Sequence, residues 1–113
     1  MYQPPGNKVS KPWGQEIIWA LTRNYAAKVL TIKQGEKLSL QYHRFKEETI
    51  MILSGTLRLR FLEKEFLLNP GDTWHIKPGD KHRMIGETDV QVLEVSSPEL
   101  DDVVRLEDNY GRA

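Results

Sequence analysis

Hydrophobic and polar residues alternate along short stretches of this chain, and the alternation predicts β-strands. Residues 38–43, LSLQYH, place three apolar and three polar side chains on opposite faces: Leu38, Leu40 and Tyr42 against Ser39, Gln41 and His43. Residues 56–61 alternate in the same way, whereas ETIMIL at 48–53 is an almost continuous apolar run, typical of a strand buried on both faces. Further strands are predicted at residues 16–20, 26–33, 65–68, 73–76, 82–85 and 90–95.

Turns rich in glycine, proline and aspartate separate these strands, as in NPGD at 69–72 and KPGD at 77–80. Many short strands separated in this way predict an all-β barrel or sandwich. A chain of 113 residues is long enough for one core, so we expect a single domain over residues 1–113. An irregular N-terminal arm is predicted at 1–12, and a C-terminal tail at 97–113 holds either one helical turn or an extended strap.

Composition excludes several classes of protein. Sixteen Lys and Arg residues balance sixteen Asp and Glu, so no overall charge favours a nucleic acid or a membrane surface as partner. The chain has no cysteine, which excludes disulfides and thiolate metal sites. No apolar stretch approaches the roughly eighteen residues of a membrane span, and the N-terminus lacks the apolar core of a signal peptide. We therefore expect a cytoplasmic protein.

Four polar residues have the spacing of a metal site. Gln41 and His43 lie on one face of a predicted strand, and Glu48 opens the next strand, so a hairpin brings the three together. His82, directly after a Pro-Gly turn, offers a fourth ligand if a closed barrel joins the two hairpins. Such nitrogen and oxygen ligands accept zinc, iron, manganese, cobalt or nickel and leave positions open for water or substrate.

The same residues also fit a strand pair with an ordinary polar face. His75, in TWHI, has no partner at ligand spacing and is interpreted as a structural histidine. The residues alone leave both interpretations open.

A family motif favours the metal. The pattern Gly35-x5-Gln41-x-His43-x4-Glu48-x6-Gly55 resembles the first cupin motif, Gly-x5-His-x-His-x3,4-Glu-x6-Gly, with glutamine in place of the first histidine. The resemblance implies a double-stranded antiparallel β-barrel of jelly-roll-like type. Many cupins bind one divalent metal ion through three positions of this motif and one of a second.

Residues 71–82 resemble that second motif, Gly-x5-Pro-x-Gly-x2-His-x3-Asn, with both glycines and His82 in place. Lys77 stands where the motif has its proline, and Gly86 stands where it has its asparagine. The resemblance implies that Gln41 and His82 belong to one ligand set together with the other two positions of the first motif.

A narrower resemblance covers the chain from about Lys11 to Arg112. The segments KPWGQE, LSLQYH, LSGT, GDKHR and DDVVRLEDNYGR resemble the C-terminal, isomerase domain of type II phosphomannose isomerases, which are also mannose-1-phosphate guanylyltransferases. This implies interconversion of mannose 6-phosphate and fructose 6-phosphate through an enediolate. The transferase domain is absent from the sequence. The chain departs from the family at residues 44–47, RFKE, and at Ile50, where a tryptophan is common.

The implied reaction assigns further roles. Glu48 or a water on the metal would be the base, and the sequence does not decide between them. Lys28, which shares strand parity with inward positions, and Arg105, in the tail, are predicted to bind the phosphate. For each, a surface charge is the alternative. Two other functions remain open: a non-catalytic cupin that binds a sugar or sugar phosphate, and another metal-cupin enzyme such as a dioxygenase.

The predicted strand geometry also implies a partner. If Gln41 and His43 point into the barrel, the face of Leu38, Leu40 and Tyr42 points outward and needs cover from the N-terminal arm or a second subunit. We therefore expect a homodimer with this face near the contact.

Overall fold

The computed structural model describes residues 8–111, and within them every regular element is a β-strand. The all-β prediction is confirmed, and most predicted strands are present within one or two residues of their expected ends. The strands are β1 Lys8–Lys11, β2 Gly14–Leu21, β3 Ala26–Ile32, β4 Leu40–Tyr42, β5 Glu48–Ser54, β6 Leu57–Phe61, β7 Lys64–Leu68, β8 Thr73–Ile76, β9 His82–Gly86, β10 Val90–Ser96 and β11 Val104–Glu107.

Two antiparallel sheets form the barrel that the resemblance implies. The first sheet has the order β1-β2-β3-β10-β5-β8, and the second has the order β11-β4-β9-β6-β7. Apolar side chains from the facing sides fill the space between them; the most deeply buried include Ile32, Ile50, Ile52, Leu57, Leu59, Met84 and Val92. Strands far apart in sequence are neighbours in both sheets, so the site depends on the closed topology.

The centre of the first sheet brings charged residues into the barrel. In β3 and β10 every second side chain is buried, which is the alternation expected of strands with one face toward the core. Lys28 of β3 and Glu94 of β10 occupy such inner positions and are paired in register. Glu94 is paired on its other side with Ile50 of β5. A buried ammonium and a buried carboxylate thus lie on one row of the inner face.

The second sheet aligns three predicted site residues. Gln41 of β4 is paired in register with His82 of β9 on one side and with Arg105 of β11 on the other. Successive side chains of a strand alternate between faces, so residues in register across a sheet lie on the same face. The row consists of Arg105 in the tail, Gln41 in β4 and His82 in the second motif.

The alternation predicted for residues 38–43 is broken near its start. The strand begins only at Leu40, and Leu38 packs against the core instead of pointing outward. Leu40 is also buried, with 8% of its surface exposed. The prediction of an outward apolar face is therefore wrong at Leu38, and most of Leu40 is covered by the chain itself.

Strand β5 also differs from its prediction. Glu48, Ile50 and Ile52 are buried, but Thr49 is exposed and Met51 only half-buried. The strand therefore has one buried face, because no other layer of residues 8–111 covers the outer side of β5. An apolar run in the sequence does not show whether a strand is buried on one face or on both.

Both ends of the described chain add edge strands. Residues 8–11, predicted as part of an irregular arm, form β1 against β2, so that prediction is wrong for them; the rest of the arm, residues 1–7, lies outside the described residues. The tail takes the extended alternative, with β11 pairing with β4. No helix long and apolar enough to cross a membrane occurs within residues 8–111.

Two glycines are required by close backbone contacts. Gly55 has a φ of +76°, and a Cβ there would lie 2.0 Å from the carbonyl oxygen of Asp89. At Gly86 a Cβ would lie 2.5 Å from the carbonyl oxygen of Lys33. The departure from the second motif at Gly86 therefore has a physical reason, since the chain leaves no room there for an asparagine side chain.

Candidate metal centre

Three of the four predicted metal ligands converge inside the barrel. His43 follows β4, Glu48 opens β5 and His82 opens β9, and at most 2% of each is exposed. Glu48 Oε1 lies 2.8 Å from His43 Nε2 and 3.6 Å from His82 Nε2. One ligand atom from each residue lies within 4.8 Å of the other two. The barrel thus closes the two hairpins around these side chains.

Backbone carbonyls determine the tautomer of both imidazoles. His43 Nδ1 lies 2.6 Å from the carbonyl oxygen of Asp102, and His82 Nδ1 lies 2.9 Å from the carbonyl oxygen of Asp80. A carbonyl oxygen only accepts hydrogen bonds, so each Nδ1 must carry a hydrogen and donate it. Each Nε2 is therefore the ring atom left to face Glu48: in a neutral ring it carries a lone pair, and the 2.8 Å contact of His43 Nε2 with the Glu48 carboxylate needs a proton, whose place a metal ion would take.

The protonation states and unpartnered atoms of the cluster favour a bound cation. Burial lowers the pKa of His82 to about 4, so its ring is neutral at pH 7. Burial raises the pKa of Glu48, but the hydrogen bond donated by His43 Nε2 and the charge of the nearby Lys46 ammonium outweigh it and hold the pKa below its usual range. Glu48 Oε2 and His82 Nε2 are buried without a hydrogen-bond partner among the described residues.

Two imidazole lone pairs and a carboxylate in a dry site are a donor set suited to a divalent metal ion. The Nδ1 hydrogen bonds to carbonyls are also typical of metal-binding histidines, since they orient the ring and raise its basicity. The residues present thus fit the metal that the family resemblance implies. They do not distinguish zinc from manganese, iron, cobalt or nickel.

The fourth predicted ligand, Gln41, lies beside the cluster. It is paired in register with His82 and lines the same cavity as His43. Its Oε1 accepts a hydrogen bond of 2.8 Å from the buried Ser39 hydroxyl. The oxygen of Gln41 is thus oriented by a neighbour two residues away, and its role as a ligand stays a prediction.

A cavity of about 260 Å³ opens next to His43 and Gln41. One part of its wall is apolar, formed by Trp13, Leu30 and Leu38, and the remainder carries charges of both signs. The tail closes one side of the cavity; its contributors are Leu100, Asp101, Val103 and Arg105. A wall with an apolar patch and many polar groups suits a sugar, whose C–H and O–H groups point in different directions.

The charged part of the wall consists largely of buried ion pairs. Lys46 Nζ lies 3.1 Å from Glu94 Oε2, and Lys28 Nζ lies 3.4 Å from Glu16 Oε2. Lys11 lies farther from Glu16, at 3.9 Å. Burial together with the adjacent Glu48 carboxylate raises the pKa of Glu94 above its usual range. The wall therefore offers donors and acceptors side by side.

Lys46, Glu94 and Glu16 were missed by the motif analysis. For Glu94 a signal exists. It lies at an inner position of β10, between Val92 and Ser96, where burying a charge costs free energy unless the charge is paired or hydrogen-bonded. Lys46 lies in a loop, where no periodicity indicates the direction of a side chain. Only the closed fold shows that it is buried, with 4% of its surface exposed.

The predicted phosphate residues both line the cavity. Lys28 points inward as its strand parity indicates, but it is paired with Glu16. Arg105 reaches the cavity through the pairing of β11 with β4. His75 is remote from the cluster: its ring lies on an exposed surface, 2.7 Å from Glu47 Oε2 and 3.0 Å from Thr49 Oγ1.

The two departures from the family have different surroundings. In the segment 44–47, Lys46 lines the cavity, whereas Phe45 is 74% exposed. Ile50 is fully buried in the core and is in register with Trp74. Trp74 packs against Phe66, with ring centroids 4.6 Å apart. Of these residues, only Lys46 is placed to touch a ligand in the cavity.

Comparisons with known proteins agree with this geometry. The alginate biosynthesis protein AlgA of Pseudomonas aeruginosa is 34% identical over 93% of this chain and 23% of its own length. The mannose-1-phosphate guanylyltransferase ManC of Salmonella typhimurium has the same identity and coverage. The chain thus spans about a quarter of the length of these relatives. An RmlC-like cupin from Shewanella frigidimarina has the same fold, with a TM-score of 0.74 and 15% identity over 87% of this chain and 91% of that one.

The family comparison covers almost the whole chain. The sequence profile described as "Mannose-6-phosphate isomerase C-terminal" matches residues 4–108, which include both cupin motifs, the inner strands and β11. With the barrel and the converging His43, Glu48 and His82 as evidence, this match shows that the chain belongs to the mannose-6-phosphate isomerase C-terminal family of cupins.

Proposed function

We propose that this protein is a metal-dependent sugar-phosphate isomerase of the mannose-6-phosphate isomerase type. The observation that carries the proposal is the convergence of two imidazole Nε2 atoms and the buried Glu48 carboxylate, next to a cavity with a polar wall. Gln41, His43, Glu48 and His82 would hold one divalent ion, which when bound supplies Lewis-acid polarisation of the sugar oxygens.

The residues of the cavity wall would bind and orient the open-chain sugar phosphate. Lys28 and Arg105 provide cations for the phosphate group, while Trp13 and Leu30 provide an apolar surface for the carbon chain. Lys46, held by Glu94, offers an ammonium hydrogen to a sugar oxygen. The cavity is partly closed by the tail, which limits the access of water to an enediol.

The isomerisation needs a base that removes the proton from C2 of the aldose and returns it to C1. Two buried carboxylates are adjacent here. Glu48 is the predicted base, but it is engaged with both imidazoles, whereas Glu94 lines the cavity itself. We assign the proton transfer to this pair, with Glu94 as the member that faces the substrate.

Two variants separate binding of metal from turnover. Metal content of the purified protein is measured together with the conversion of mannose 6-phosphate to fructose 6-phosphate, across several divalent ions. Glu48→Gln is expected to lose metal and activity together, whereas Glu94→Gln is expected to keep the metal and to lose turnover by about 100-fold or more. A Glu94→Gln variant with normal turnover would return the role of base to Glu48.

A second candidate is a cupin that binds a sugar or sugar phosphate without turning it over. The pairing of Lys28 with Glu16 favours the form of this candidate that binds a sugar without phosphate, because it offsets the charge that a phosphate would need. Calorimetric binding of mannose 6-phosphate to the metal-loaded protein, with no isomerisation under any ion tested, would support this function instead of the first.

A further inference from the structure

The tail crosses the barrel beside the candidate metal centre. Residues 97–103, here called the strap, lead from β10 to β11, and part of the strap lines the cavity. The strap is joined to the loop after β4 at two points. Ser97 Oγ accepts a hydrogen bond from the amide of Glu47, and Asp102 makes the second, more extensive connection.

Asp102 binds this loop through both its side chain and its backbone. Its carboxylate accepts hydrogen bonds from three consecutive amides, those of Arg44 at 3.0 Å, Phe45 at 2.7 Å and Lys46 at 2.9 Å. Its carbonyl oxygen accepts the Nδ1 hydrogen of His43, the residue just before those amides. One residue thus holds both the imidazole and the backbone that carries it.

The His82 imidazole is held in the same way, but by a residue close to it in sequence. The carbonyl oxygen of Asp80 accepts the Nδ1 hydrogen of His82, and the Asp80 carboxylate accepts the amide of Lys77 at 3.0 Å. Each ring is therefore held by an aspartate whose side chain immobilises a turn and whose carbonyl receives the ring hydrogen. For His82 this aspartate is two residues away, whereas for His43 it is 59 residues away, in the strap.

We propose that Asp102 is a positioning residue for His43, through which the strap holds this imidazole in its metal-binding tautomer and orientation. Without the carboxylate, the strap loses three hydrogen bonds to the loop and its carbonyl is no longer held against Nδ1. The His43 ring is then free to rotate or to place its hydrogen on Nε2, where it blocks the lone pair. The inference rests on the proposed metal site for its function but not for its geometry.

The first experiment uses the metal-free protein and therefore does not depend on metal binding or turnover. Nitrogen NMR of the histidine rings reports the tautomer of His43 in the wild type and in Asp102→Ala. We expect an Nδ1–H ring protected from exchange in the wild type, and a mixed or Nε2–H ring in the variant. An unchanged Nδ1–H tautomer in Asp102→Ala would overturn the proposal.

The second experiment measures Co²⁺ affinity and the visible spectrum of the Co²⁺ protein. Loss of an outer partner of a metal-binding histidine costs about ten- to a hundred-fold in affinity, and we expect this for Asp102→Ala. Asp72 provides a matched control, because its carboxylate accepts the Asn69 amide at 2.8 Å in an exposed turn between β7 and β8. Asp72→Ala should leave the Co²⁺ affinity and spectrum unchanged.

The outcomes separate positioning from stability. If Asp102→Ala does not fold, Asp102→Asn, which keeps one acceptor oxygen, is measured in its place. Equal Co²⁺ affinity and spectrum in the wild type and the folded Asp102 variant would overturn the positioning role. If the wild type binds no Co²⁺ but Asp102→Ala still shows the expected change of the His43 tautomer, the metal proposal is contradicted and the Asp102 inference remains supported.

Discussion

The Lys46 ammonium lies 3.1 Å from the Glu94 carboxylate, with each side chain at most 6% exposed, in the wall of the cavity beside Glu48. The pair joins a loop at the start of β5 to the middle of β10. Burial lowers the pKa of Lys46, but the Glu94 and Glu48 carboxylates outweigh burial, so the pKa lies above its ordinary value and the ammonium keeps its charge. A charge buried in this way depends on its partner.

Removal of one member of this pair is expected to destabilise the fold. Lys46→Met leaves Glu94 without its counter-charge, and a broken buried pair costs about 3–5 kcal/mol. The double variant Lys46→Met, Glu94→Gln should recover a large part of this loss, because neither charge then remains. Urea unfolding of the wild type, Lys46→Met, Glu94→Gln and the double variant measures the four free energies of unfolding. Additive losses in the double variant would contradict the pairing.

Metal binding is expected to depend on the buried cluster and not on surface histidines. His82→Ala and Glu48→Gln should each weaken Co²⁺ or Zn²⁺ binding by at least 100-fold, because each removes one of the three converging donor residues of the proposed site. His75→Ala is the control, since this ring lies on an exposed surface with Glu47. Metal titration followed by calorimetry checks the result; retention of tight binding by both variants would make the site assignment wrong.

The contribution of Asp102 to stability is expected to vary with pH. Hydrogen bonds from the amide of Phe45 and its neighbours hold the pKa of this carboxyl below its ordinary value of 3.8. A depressed pKa adds stability that is fully present above that value and is lost as the pH falls through the lower, folded-state pKa. The difference in free energy of unfolding between the wild type and Asp102→Asn should therefore shrink on acidification from pH 7 to pH 3. A constant difference over this range would contradict the assignment.

Substitution at Gly86 is expected to destabilise the barrel even when it restores the motif. An asparagine or alanine there places its Cβ within 2.5 Å of the Lys33 carbonyl oxygen, so the backbone must move. Overpacking of this kind typically costs about 1–3 kcal/mol. Thermal unfolding of Gly86→Ala and Gly86→Asn measures the cost, and a neutral result for Gly86→Ala would show that the β9 backbone moves freely.

The homodimer was predicted with the face of Leu38, Leu40 and Tyr42 near its contact; since Leu38 and Leu40 are covered within the chain, we now expect the contact on the outer face of the first sheet. Val29, Leu93 and Met51 are in register on that face and only half-buried. A second copy packed on this apolar row would bury it. Light scattering at micromolar concentration should give a dimer, and Leu93→Glu should give a monomer with wild-type metal affinity. A wild-type monomer would contradict the prediction.

Local patterns of the sequence were sufficient for the strands and for the larger part of the site. The side-chain period of two in β3 identified the inner position of Lys28, and the same period in β10 would have identified that of Glu94. The spacing of the two motifs predicted that His43, Glu48 and His82 meet. Such predictions hold because the neighbours involved are close in sequence or belong to motifs with a constant separation.

Other features were decided only when the barrel closed. Leu38 packs toward the core where the chain before β4 makes only an isolated bridge, from Lys37 to Ile85 of β9, and has not yet begun a continuous strand; the alternation of residues 38–43 does not indicate this. Within the described part of the chain no second layer covers the outer face of β5, although its sequence is apolar on both sides.

The sequence by itself determined the strand pattern, which follows from a period of two, and its resemblance to the cupin motifs implied that His43, Glu48 and His82 converge. Only the tertiary structure decided which residues form the wall of the cavity and that Asp102 lies against the His43 ring. The Lys46–Glu94 pair spans 48 residues and the His43–Asp102 contact spans 59. Contacts at such separations depend on the order of strands in two closed sheets, which no local pattern of side chains specifies.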